Sequence, residues 1–354
     1  MRIGIDAREI VGQVTGVGRY LAGLLTEWAS TGAATRHEFV LYGHAPMPSA
    51  PPQCETRVLP GASGTWWQQV TLPAAARRDK LDVFFAPHYT APLTLKIPTV
   101  IVIHDVSFAA HPEWFRTREG MRLRALARLS ARRARAVITI SQFSRREIGE
   151  HLGVPDRRIH VIPPGIPVRA TTAAFERDAR LLYVGSIFNR RHVLDLIRAF
   201  ALVARMHPGA SLDLVGDNRS YPYEDVTAAI DREDLGERIR WHRFATDDEL
   251  SGLYGRARAF AFLSEYEGLG LTPLEALSAG APPVLYDTEI ARESCGDAAL
   301  YVQRGDLSAV SRALERVLFD DSTRDSLLAA APGALARYDW GRAARETLAL
   351  LDRW

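Results

Sequence analysis

The sequence has little cysteine and no long apolar run. Only two cysteines, Cys54 and Cys295, occur among 354 residues, without the paired spacing that a zinc site or a redox motif needs. We therefore expect a reducing, cytosolic environment. The apolar runs, such as residues 99–103, have the length of strands and fall well short of the roughly 18–20 residues that span a bilayer. No membrane span is predicted.

An excess of one charge is also missing. The formal net charge is +2, which is too small to indicate a nucleic-acid partner. At the start of the chain, Asp6, Arg8 and Glu9 interrupt what would have to be the apolar core of a signal peptide. We therefore expect a cytoplasmic protein without an export signal.

The composition supports a folded protein with two cores. Hydrophobic residues make up 47% and charged residues 24% of the chain, as in ordinary soluble domains, and 354 residues exceed the usual size of one domain. Short apolar runs alternate with longer amphipathic segments, which predicts parallel α/β sheets. The predicted strands are residues 3–5, 39–42, 83–86, 99–103, 136–140 and 160–162, then 181–184, 211–215, 239–241, 259–263 and 283–286.

A turn-rich stretch, residues 163–167, and a polar segment up to residue 180 separate the two runs of strands. We therefore predict an N-terminal domain over residues 1–168 and a C-terminal domain over residues 169–335. Ligands of open parallel sheets gather beyond the carboxyl ends of the strands. A cleft between the two domains is the expected site.

The most informative segment, residues 264–280, places a glycine-rich turn between an apolar strand and a helix. Gly268 and Gly270 allow the backbone to approach a ligand closely, Thr272 is a candidate cap, and Pro273 suits a first helical turn. The exposed amides at the start of the helix would receive a phosphate.

Two carboxylates bracket this phosphate cradle. Glu267 and Glu275 are spaced so that one can accept hydrogen bonds from a sugar and the other from a ribose diol. On spacing alone, an equal alternative is a purely structural strand–turn–helix. Glu275 would then be an acidic residue in the first helical turn, where it interacts favourably with the helix dipole. The segment resembles the Glu-x7-Glu signature of the retaining GT-B glycosyltransferases of family four, and the likeness extends over almost the whole chain.

The resemblance implies a fold for the chain and a position for its C-terminal helix. The fold would be α/β, of the GT-B type, with two Rossmann-like doubly wound domains facing across a cleft. The N-terminal domain would bind the acceptor and the C-terminal domain the nucleotide sugar. Residues 336–354, which include Tyr338, Asp339 and Trp340, resemble the family's C-terminal helix, which packs back on the N-terminal domain.

A second likeness lies in residues 185–192, which follow a predicted strand. They are similar to the family's basic donor loop, where an arginine and a lysine hold the diphosphate. Arg190 and Arg191 stand there in this chain, with Arg191 in the lysine position. Both cations neutralise a leaving phosphate, but the planar guanidinium differs in geometry from an ammonium. Two solvated arginines at a strand end are the alternative.

Near the N-terminus, Gly16 and Gly18 precede an apolar helix, residues 20–28. As a dinucleotide fingerprint this motif fails, because the third glycine is missing and Glu38 comes before the next predicted strand rather than at its end. The resemblance instead implies a glycine loop that reaches over the donor phosphate.

Two histidine-containing pairs follow predicted strands. His104 and Asp105 match a His-Asp pair that the family places near the transferred sugar. We expect His104 to bond the donor sugar or a neighbouring hydroxyl, and Asp105 to orient the ring or cap the next turn. His88 and Tyr89 lie at the same sheet edge and are candidates for acceptor binding. Ordinary structural roles are open for all four.

A basic amphipathic stretch spans residues 116–146, with ten arginines and a single acidic residue, Glu119. Leu123, Leu126 and Leu129 are interleaved with them. In the family, such a face often approaches anionic membrane or a lipid-linked acceptor. A solvated helix face whose leucines pack into the core is the alternative.

Together, these likenesses imply a retaining transfer of a hexose from a nucleotide sugar to a glycan or lipid-linked acceptor. A front-face mechanism is favoured, in which the departing phosphate takes the acceptor proton. The implied catalytic residues are His104, Arg190, Arg191 and Glu267; the donor-binding residues are Gly16, Gly18, Ser186, Gly268, Gly270, Leu271, Thr272, Glu275, Arg243 and Phe244; the acceptor-binding residues are His88, Tyr89 and Asp105.

The likeness to mannosyltransferase-like members favours GDP-mannose as the donor, with a UDP-hexose as the alternative. No Asp-x-Asp motif occurs in a suitable loop, so we expect no metal, and no cofactor besides the nucleotide sugar as co-substrate. Three other readings stay open: a nicotinamide-dependent oxidoreductase, a nucleotide-sugar-binding protein without turnover, and a GT-B epimerase.

Overall fold

The computed structural model describes residues 1–12, 16–167 and 178–354. The chain forms two compact units. Unit 1 comprises Met1–Gly165 and Tyr338–Trp354, and unit 2 comprises Ile166–Arg337. The predicted boundary between residues 168 and 169 lies outside the described residues.

Unit 1 is built on a seven-stranded parallel sheet with the order β3-β2-β1-β4-β5-β6-β7. Its strands are β1 (Arg2–Asp6), β2 (Glu38–Gly43), β3 (Glu55–Val58), β4 (Val83–Ala86), β5 (Thr99–Val102), β6 (Ala136–Thr139) and β7 (Ile159–Val161). Apolar side chains fill the central strands because helices cover both faces of such a sheet.

The helices of unit 1 connect these strands. They are α1 (Gly16–Ser30), α2 (Ala33–Arg36), α3 (Leu72–Ala76), α4 (Ser107–Ala110), α5 (Thr117–Arg133) and α6 (Gln142–Leu152). In α1, Leu21, Leu24, Leu25 and Trp28 recur at helical spacing and are buried, which gives the helix one apolar face toward the sheet. Trp28 stacks on Phe39 of β2 with ring centroids 5.0 Å apart.

Unit 2 repeats this architecture with six parallel strands in the order β10-β9-β8-β11-β12-β13. The strands are β8 (Arg180–Val184), β9 (Ser211–Val215), β10 (Ile239–His242), β11 (Ala259–Phe262), β12 (Pro283–Tyr286) and β13 (Leu300–Val302). The helices are α7 (Val193–Met206), α8 (Val226–Arg232), α9 (Asp247–Arg256), α10 (Leu271–Ser278), α11 (Glu289–Cys295), α12 (Leu307–Phe319) and α13 (Asp321–Leu335).

The last helix, α14 (Trp340–Leu351), packs on α1 of unit 1. The Trp340 ring lies so close to Gly23 that a Cβ there would meet it at 2.5 Å. The indole Nε1 of Trp28 donates a hydrogen bond to the carbonyl of Ala344 at 3.0 Å. These contacts explain why the chain's C-terminal segment belongs to unit 1.

The prediction of an α/β fold with two parallel sheets is confirmed. Two edge strands, β3 and β13, were not predicted from the sequence. β3 reads Glu-Thr-Arg-Val and is largely exposed, so it lacks the apolar signal that marks central strands. In the described part of the chain, every helix is too short or too polar to cross a membrane.

Candidate active site

The strand order of unit 2 reverses its direction of growth between β8 and β11. In doubly wound sheets, ligands bind at such a switch point, beyond the carboxyl ends of the two strands. Residues 185–192 follow β8, and the Glu-x7-Glu segment follows β11. The two motifs that were singled out from sequence therefore lie at the same point of the sheet.

Two glycines make the start of the loop after β8 possible. Gly185 has φ +150° and Gly216, at the end of the neighbouring β9, has φ +143°. A Cβ on Gly216 would lie 2.1 Å from the carbonyl oxygen of Gly185. Because both partners are backbone, the clash could not be relieved by a side-chain rotation.

The loop continues into a short 3-10 turn, Asn189–Arg191, and Arg191 from this turn pairs with Glu267. Its Nε donates to Oε1 at 2.8 Å and its Nη2 donates to Oε2 at 3.1 Å. The same guanidinium donates to the carbonyl of Ser186 at 2.9 Å and lies over the Phe262 ring at 4.9 Å. Ser264 Oγ donates to Glu267 Oε1 at 2.8 Å.

This pairing fixes the electrostatics of the loop. Burial on its own would lower the pKa of Arg191, but the adjacent Glu267 carboxylate outweighs it and the pKa is raised, so the guanidinium stays charged. Its charge is balanced by Glu267, and the bidentate geometry holds both groups in place. Glu267 is thus bonded to Arg191 through both oxygens, an arrangement that the sequence did not predict.

Arg190 lies beside this pair. Its guanidinium carbon is 4.3 Å from the centroid of the Phe188 ring, and its carbonyl accepts a hydrogen bond from the amide of Glu265 at 3.0 Å. The loops after β8 and β11 are therefore joined by backbone as well as side-chain bonds.

Helix α10 begins where the glycine turn ends. Gly270 is its N-cap in a left-handed conformation with φ +84°, without a side-chain capping bond. The expectation that Thr272 caps the helix is wrong, because Thr272 already lies in its first turn, after Leu271. The free amides of this turn are available to an anion.

Glu275 is not the first-turn acid that the alternative required. It is the fifth residue of α10 and is buried, with 5% of its surface exposed. The phenol of Tyr254, which is fully buried on α9, donates to Glu275 Oε2 at 3.0 Å. A buried carboxylate that is oriented by a buried phenol has a fixed direction in which to accept further hydrogen bonds.

Arg243 and Phe244 follow β10 and are separated from β8 by β9. The Arg243 guanidinium lies 4.7 Å above the Trp241 ring, and Phe244 is 62% exposed. They lie at the carboxyl edge of the sheet but two strands away from the Arg191–Glu267 pair.

The sheet of unit 1 has its own switch point, between β1 and β4. Asp6 ends β1 and is buried, and Arg8 Nε donates to its Oδ1 at 2.9 Å. Gln68 Nε2 donates to the carbonyl of Thr90, which follows β4, at 2.8 Å. Sequence reasoning treated Asp6 and Arg8 only as interruptions of a signal peptide, although their position directly after the first strand is the signal that marks a switch point.

His104 is buried after β5, and its Nε2 lies 3.0 Å from the carbonyl of Pro87. A carbonyl only accepts, so Nε2 carries the proton and Nδ1 is left as an acceptor. Burial lowers the pKa of His104 to about 4, so the ring is neutral near pH 7. Tyr20 and Tyr89 contact its ring edge-on, at centroid distances of 5.0 and 5.8 Å.

The three candidates for acceptor binding in unit 1 adjoin this histidine. Tyr89 donates from its phenol to Asp105 Oδ2 at 2.8 Å, and Asp105 Oδ1 accepts from the amide of Ser107 at 2.8 Å. Asp105 therefore bonds the first turn of α4. The His88 ring lies 5.4 Å from that of Tyr89, so the structure brings His88, Tyr89, His104 and Asp105 into one cluster.

Gly16 and Gly18 do not form a loop. Both lie in the first turn of α1, where Gly18 is buried and Gly16 is exposed. Residues 13–15, which directly precede them, lie outside the described residues. Among the described residues of this segment, the amides at the start of α1 could fill the role that the resemblance implied.

One group of metal-ligand types occurs in the described ranges: Glu147, Glu150 and His151, with ligand atoms within 4.8 Å of one another. All three belong to α6 of unit 1. The loops that follow β8 and β11 contain no part of it.

Comparison with known proteins agrees with this architecture. Residues 168–333 match the family described as "Glycosyl transferases group 1", and residues 14–169 match "Glycosyltransferase Family 4". The chain is a glycosyltransferase of group 1. The two matches together run through both units, which confirms the family that the sequence motifs resembled.

Curated relatives of this glycosyltransferase carry names from polysaccharide synthesis. It is 27% identical to the O-antigen chain mannosyltransferase B of Escherichia coli over 78% of this chain and 75% of the relative. It is 26% identical to the GDP-mannose:cellobiosyl-diphosphopolyprenol alpha-mannosyltransferase of Xanthomonas oryzae over 71% and 66%. A glycogen synthase of Mycobacterium tuberculosis is 29% identical over 71% of this chain, which spans 62% of that relative's length.

Solved structures share the fold. The Anabaena protein Alr3699/HepE, determined in complex with UDP and glucose, covers all of both chains with a TM-score of 0.78 at 18% identity. WaaG, a glycosyltransferase involved in lipopolysaccharide biosynthesis, covers 99% of both chains with a TM-score of 0.75 at 18% identity. Both confirm the GT-B fold.

Proposed function

We propose that this glycosyltransferase transfers a hexose, with retention, from a nucleoside diphosphate sugar to a glycan or lipid-linked acceptor without a metal ion. The observation that carries the proposal is the meeting of Arg190, Arg191 and the start of α10 at the switch point of unit 2. Two fixed guanidinium groups and a helix N-terminus form a site for a diphosphate.

In this proposal the donor diphosphate lies against Arg190 and the amides that follow Gly270. Arg191 faces the same phosphates, and Glu267 holds its guanidinium in a single orientation through the two bonds described above. Glu275, oriented by Tyr254, accepts the ribose hydroxyls. The stabilisation of the leaving phosphate is then mostly preorganised electrostatics.

The acceptor hydroxyl loses its proton to the departing phosphate oxygen as the new glycosidic bond forms on the same face. No protein base is then needed, which suits a histidine whose pKa is about 4. His104 would instead accept a hydrogen bond from a sugar hydroxyl at its Nδ1. Tyr89, Asp105 and His88 surround it and would contact the acceptor.

GDP-mannose is the favoured donor because several relatives are named as mannosyltransferases, one of them with GDP-mannose in its name. A UDP-hexose is the second candidate, since a structural neighbour was determined with UDP and glucose. We further propose a cytoplasmic enzyme that works at the inner face of a membrane when its acceptor is lipid-linked.

The test is a donor screen with purified protein, with and without EDTA. GDP- and UDP-sugars are assayed for nucleoside diphosphate release and for transfer to glycan and polyprenyl-linked acceptors. We expect one nucleotide series to be active in EDTA, and Arg190→Ala to lower kcat/KM about 100-fold. Activity that is lost in EDTA and restored by Mg²⁺ or Mn²⁺ would contradict metal independence. A product of inverted anomeric configuration would contradict retention.

A further inference from the structure

A cavity of about 590 Å³ opens at the amino edge of the unit 1 sheet. Residues 97–99 lead into β5, residues 134 and 135 lead into β6, and Arg158 precedes β7. Because the three strands are parallel, all these residues lie at the edge opposite to His104 and Asp105, which follow the carboxyl end of β5. The cavity is therefore not part of the candidate active site.

The cavity wall is strongly cationic. The charged residues that line it are Lys96, Arg132, Arg133, Arg135 and Arg158, and no aspartate or glutamate lines it. The side chains of four of these residues are exposed: Lys96, Arg132, Arg133 and Arg135. Their charged groups can therefore contact a ligand from solution. Five cations around one cavity without an aspartate or glutamate side chain repel one another, and a bound anion relieves that repulsion.

The carbonyls at the end of helix α5 are already bonded by one of these arginines. Helix α5 ends at this cavity, and a helix C-terminus carries partial negative charge on its free carbonyls. Arg158 Nη1 donates to the carbonyls of Arg132 and Ala134, both at 3.0 Å. This anchors Arg158 and leaves the cations of the other lining residues for a ligand.

Most of the other residues that line the cavity are apolar, and Thr99 and Ser130 are the polar ones. Pro92 and Leu95 line the cavity, and the Trp354 ring, 45% exposed, lies 5.7 Å from the Arg135 guanidinium carbon. A second cavity of about 350 Å³ shares Leu95, Lys96 and Ile97 with the first, and adds Arg77 and Lys80 without any acidic residue. The site offers cations for an anionic group and an apolar surface beside them.

We propose that this cavity binds a phosphate-bearing ligand with at least two negative charges, at a site separate from the donor site. Guanidinium groups bind phosphate by paired, charge-assisted hydrogen bonds. The volume is within the range of small-molecule sites, about 300–1,000 Å³. The ligand's phosphate could belong to a free metabolite or to a lipid headgroup, and the chemistry of recognition is the same.

The chain provides a local probe of this site. Lys80 and Lys96 are the only lysines in the sequence, and both line these cavities. Reductive methylation with ¹³C labels them without removing their charge, and the donor loop carries no lysine. Pyrophosphate is then titrated at low ionic strength while the two dimethyl-lysine signals are followed by NMR, with Lys80→Arg and Lys96→Arg for assignment.

We expect a saturable shift of the Lys96 signal in the full-length protein. The double variant Arg132→Ser/Arg133→Ser should weaken that binding at least about tenfold. The matched control is Arg118→Ser/Arg122→Ser, which removes the same charge from the same helix outside the cavity and should leave the dissociation constant within about twofold. All four positions are exposed, and thermal unfolding checks that both variants are folded.

A second arm identifies the source of the phosphate. Vesicles of phosphatidylglycerol and of phosphatidylcholine are sedimented with the protein, with and without pyrophosphate. Suppose that the protein binds the anionic vesicles, that pyrophosphate abolishes this binding, and that the cavity variant loses it while the control variant keeps it. This result would support the site, with a lipid headgroup as its ligand. A Lys96 signal that does not shift, or an equal loss in the cavity and control variants, would overturn the proposal.

Discussion

Replacing Glu267 with glutamine tests the ion pair that holds the loop after β8. The Arg191 and Glu267 side chains are only 14% and 17% exposed, and they exchange two hydrogen bonds of 2.8 and 3.1 Å. In Glu267→Gln, the guanidinium keeps its charge in a largely buried place and faces an amide that offers one acceptor instead of a carboxylate.

Breaking a fully buried pair by removing one charge costs about 3–5 kcal/mol. Because both groups keep some exposure, we expect the free energy of unfolding to fall by about 2–3 kcal/mol. For a domain of this size, that lowers Tm by about 4–12 °C. Denaturant and thermal unfolding measure the two quantities.

The control is Asp287→Asn in the same unit. Asp287 also forms two bonds with an arginine, Arg292, at 2.5 and 2.8 Å, but Arg292 is 58% exposed. We expect this variant to lose less than about 1 kcal/mol. Equal losses in the two variants would refute the argument that burial makes the Arg191–Glu267 pair structurally important. Glu267→Gln should not weaken nucleoside diphosphate binding, because it removes a negative charge from the proposed phosphate site.

Three further predictions follow from single contacts. Tyr254→Phe removes the hydroxyl that bonds Glu275 and should cost about 1–3 kcal/mol of stability. It should also raise the KM for the nucleotide sugar more than it lowers kcat, and an unchanged KM would contradict the proposed ribose contact of Glu275. Gly216→Ala should cost about 2–4 kcal/mol, because its Cβ would meet the backbone of Gly185; unaltered unfolding would contradict this packing. Burial lowers the pKa of His104 from 6.5 to about 4. As pH falls from 6.5 to 4, the unfolded chain therefore takes up a proton at His104 that the folded chain does not, and stability is lost. Denaturant titrations should show that the free energy of unfolding falls less between pH 6.5 and 4 in His104→Asn than in wild type. An equal fall in both proteins would contradict this role of His104.

Much of the fold was predictable from the sequence because central parallel strands are apolar runs. β4 was predicted with its observed bounds, and β5 and β6 were each predicted one residue too long, by Ile103 and Ile140. The polar edge strand β3 was missed because an edge strand does not need to be apolar on both faces.

The candidate site was predictable in part. The motifs that follow predicted strands indicated which edge of each sheet would carry it, and the loops after β8 and β11 do meet. The pairing of Arg191 with Glu267 was not predictable, because it depends on β8 and β11 being neighbours although the two residues are 76 positions apart. The cap was assigned wrongly for a local reason: Gly270 takes the left-handed N-cap position, so Thr272 falls inside the helix.

The central claim is that the loop after β8 binds the donor diphosphate without a metal ion. Isothermal titration of GDP and UDP in EDTA tests it most directly, with wild type, Arg190→Ala and, as a control on the surface of unit 1, Arg118→Ala. We predict that wild type binds one of the two nucleotides, that Arg190→Ala weakens this binding at least about tenfold, and that Arg118→Ala leaves it unchanged. Binding that Arg190→Ala does not alter, or no binding of either nucleotide by wild type, would contradict the assignment.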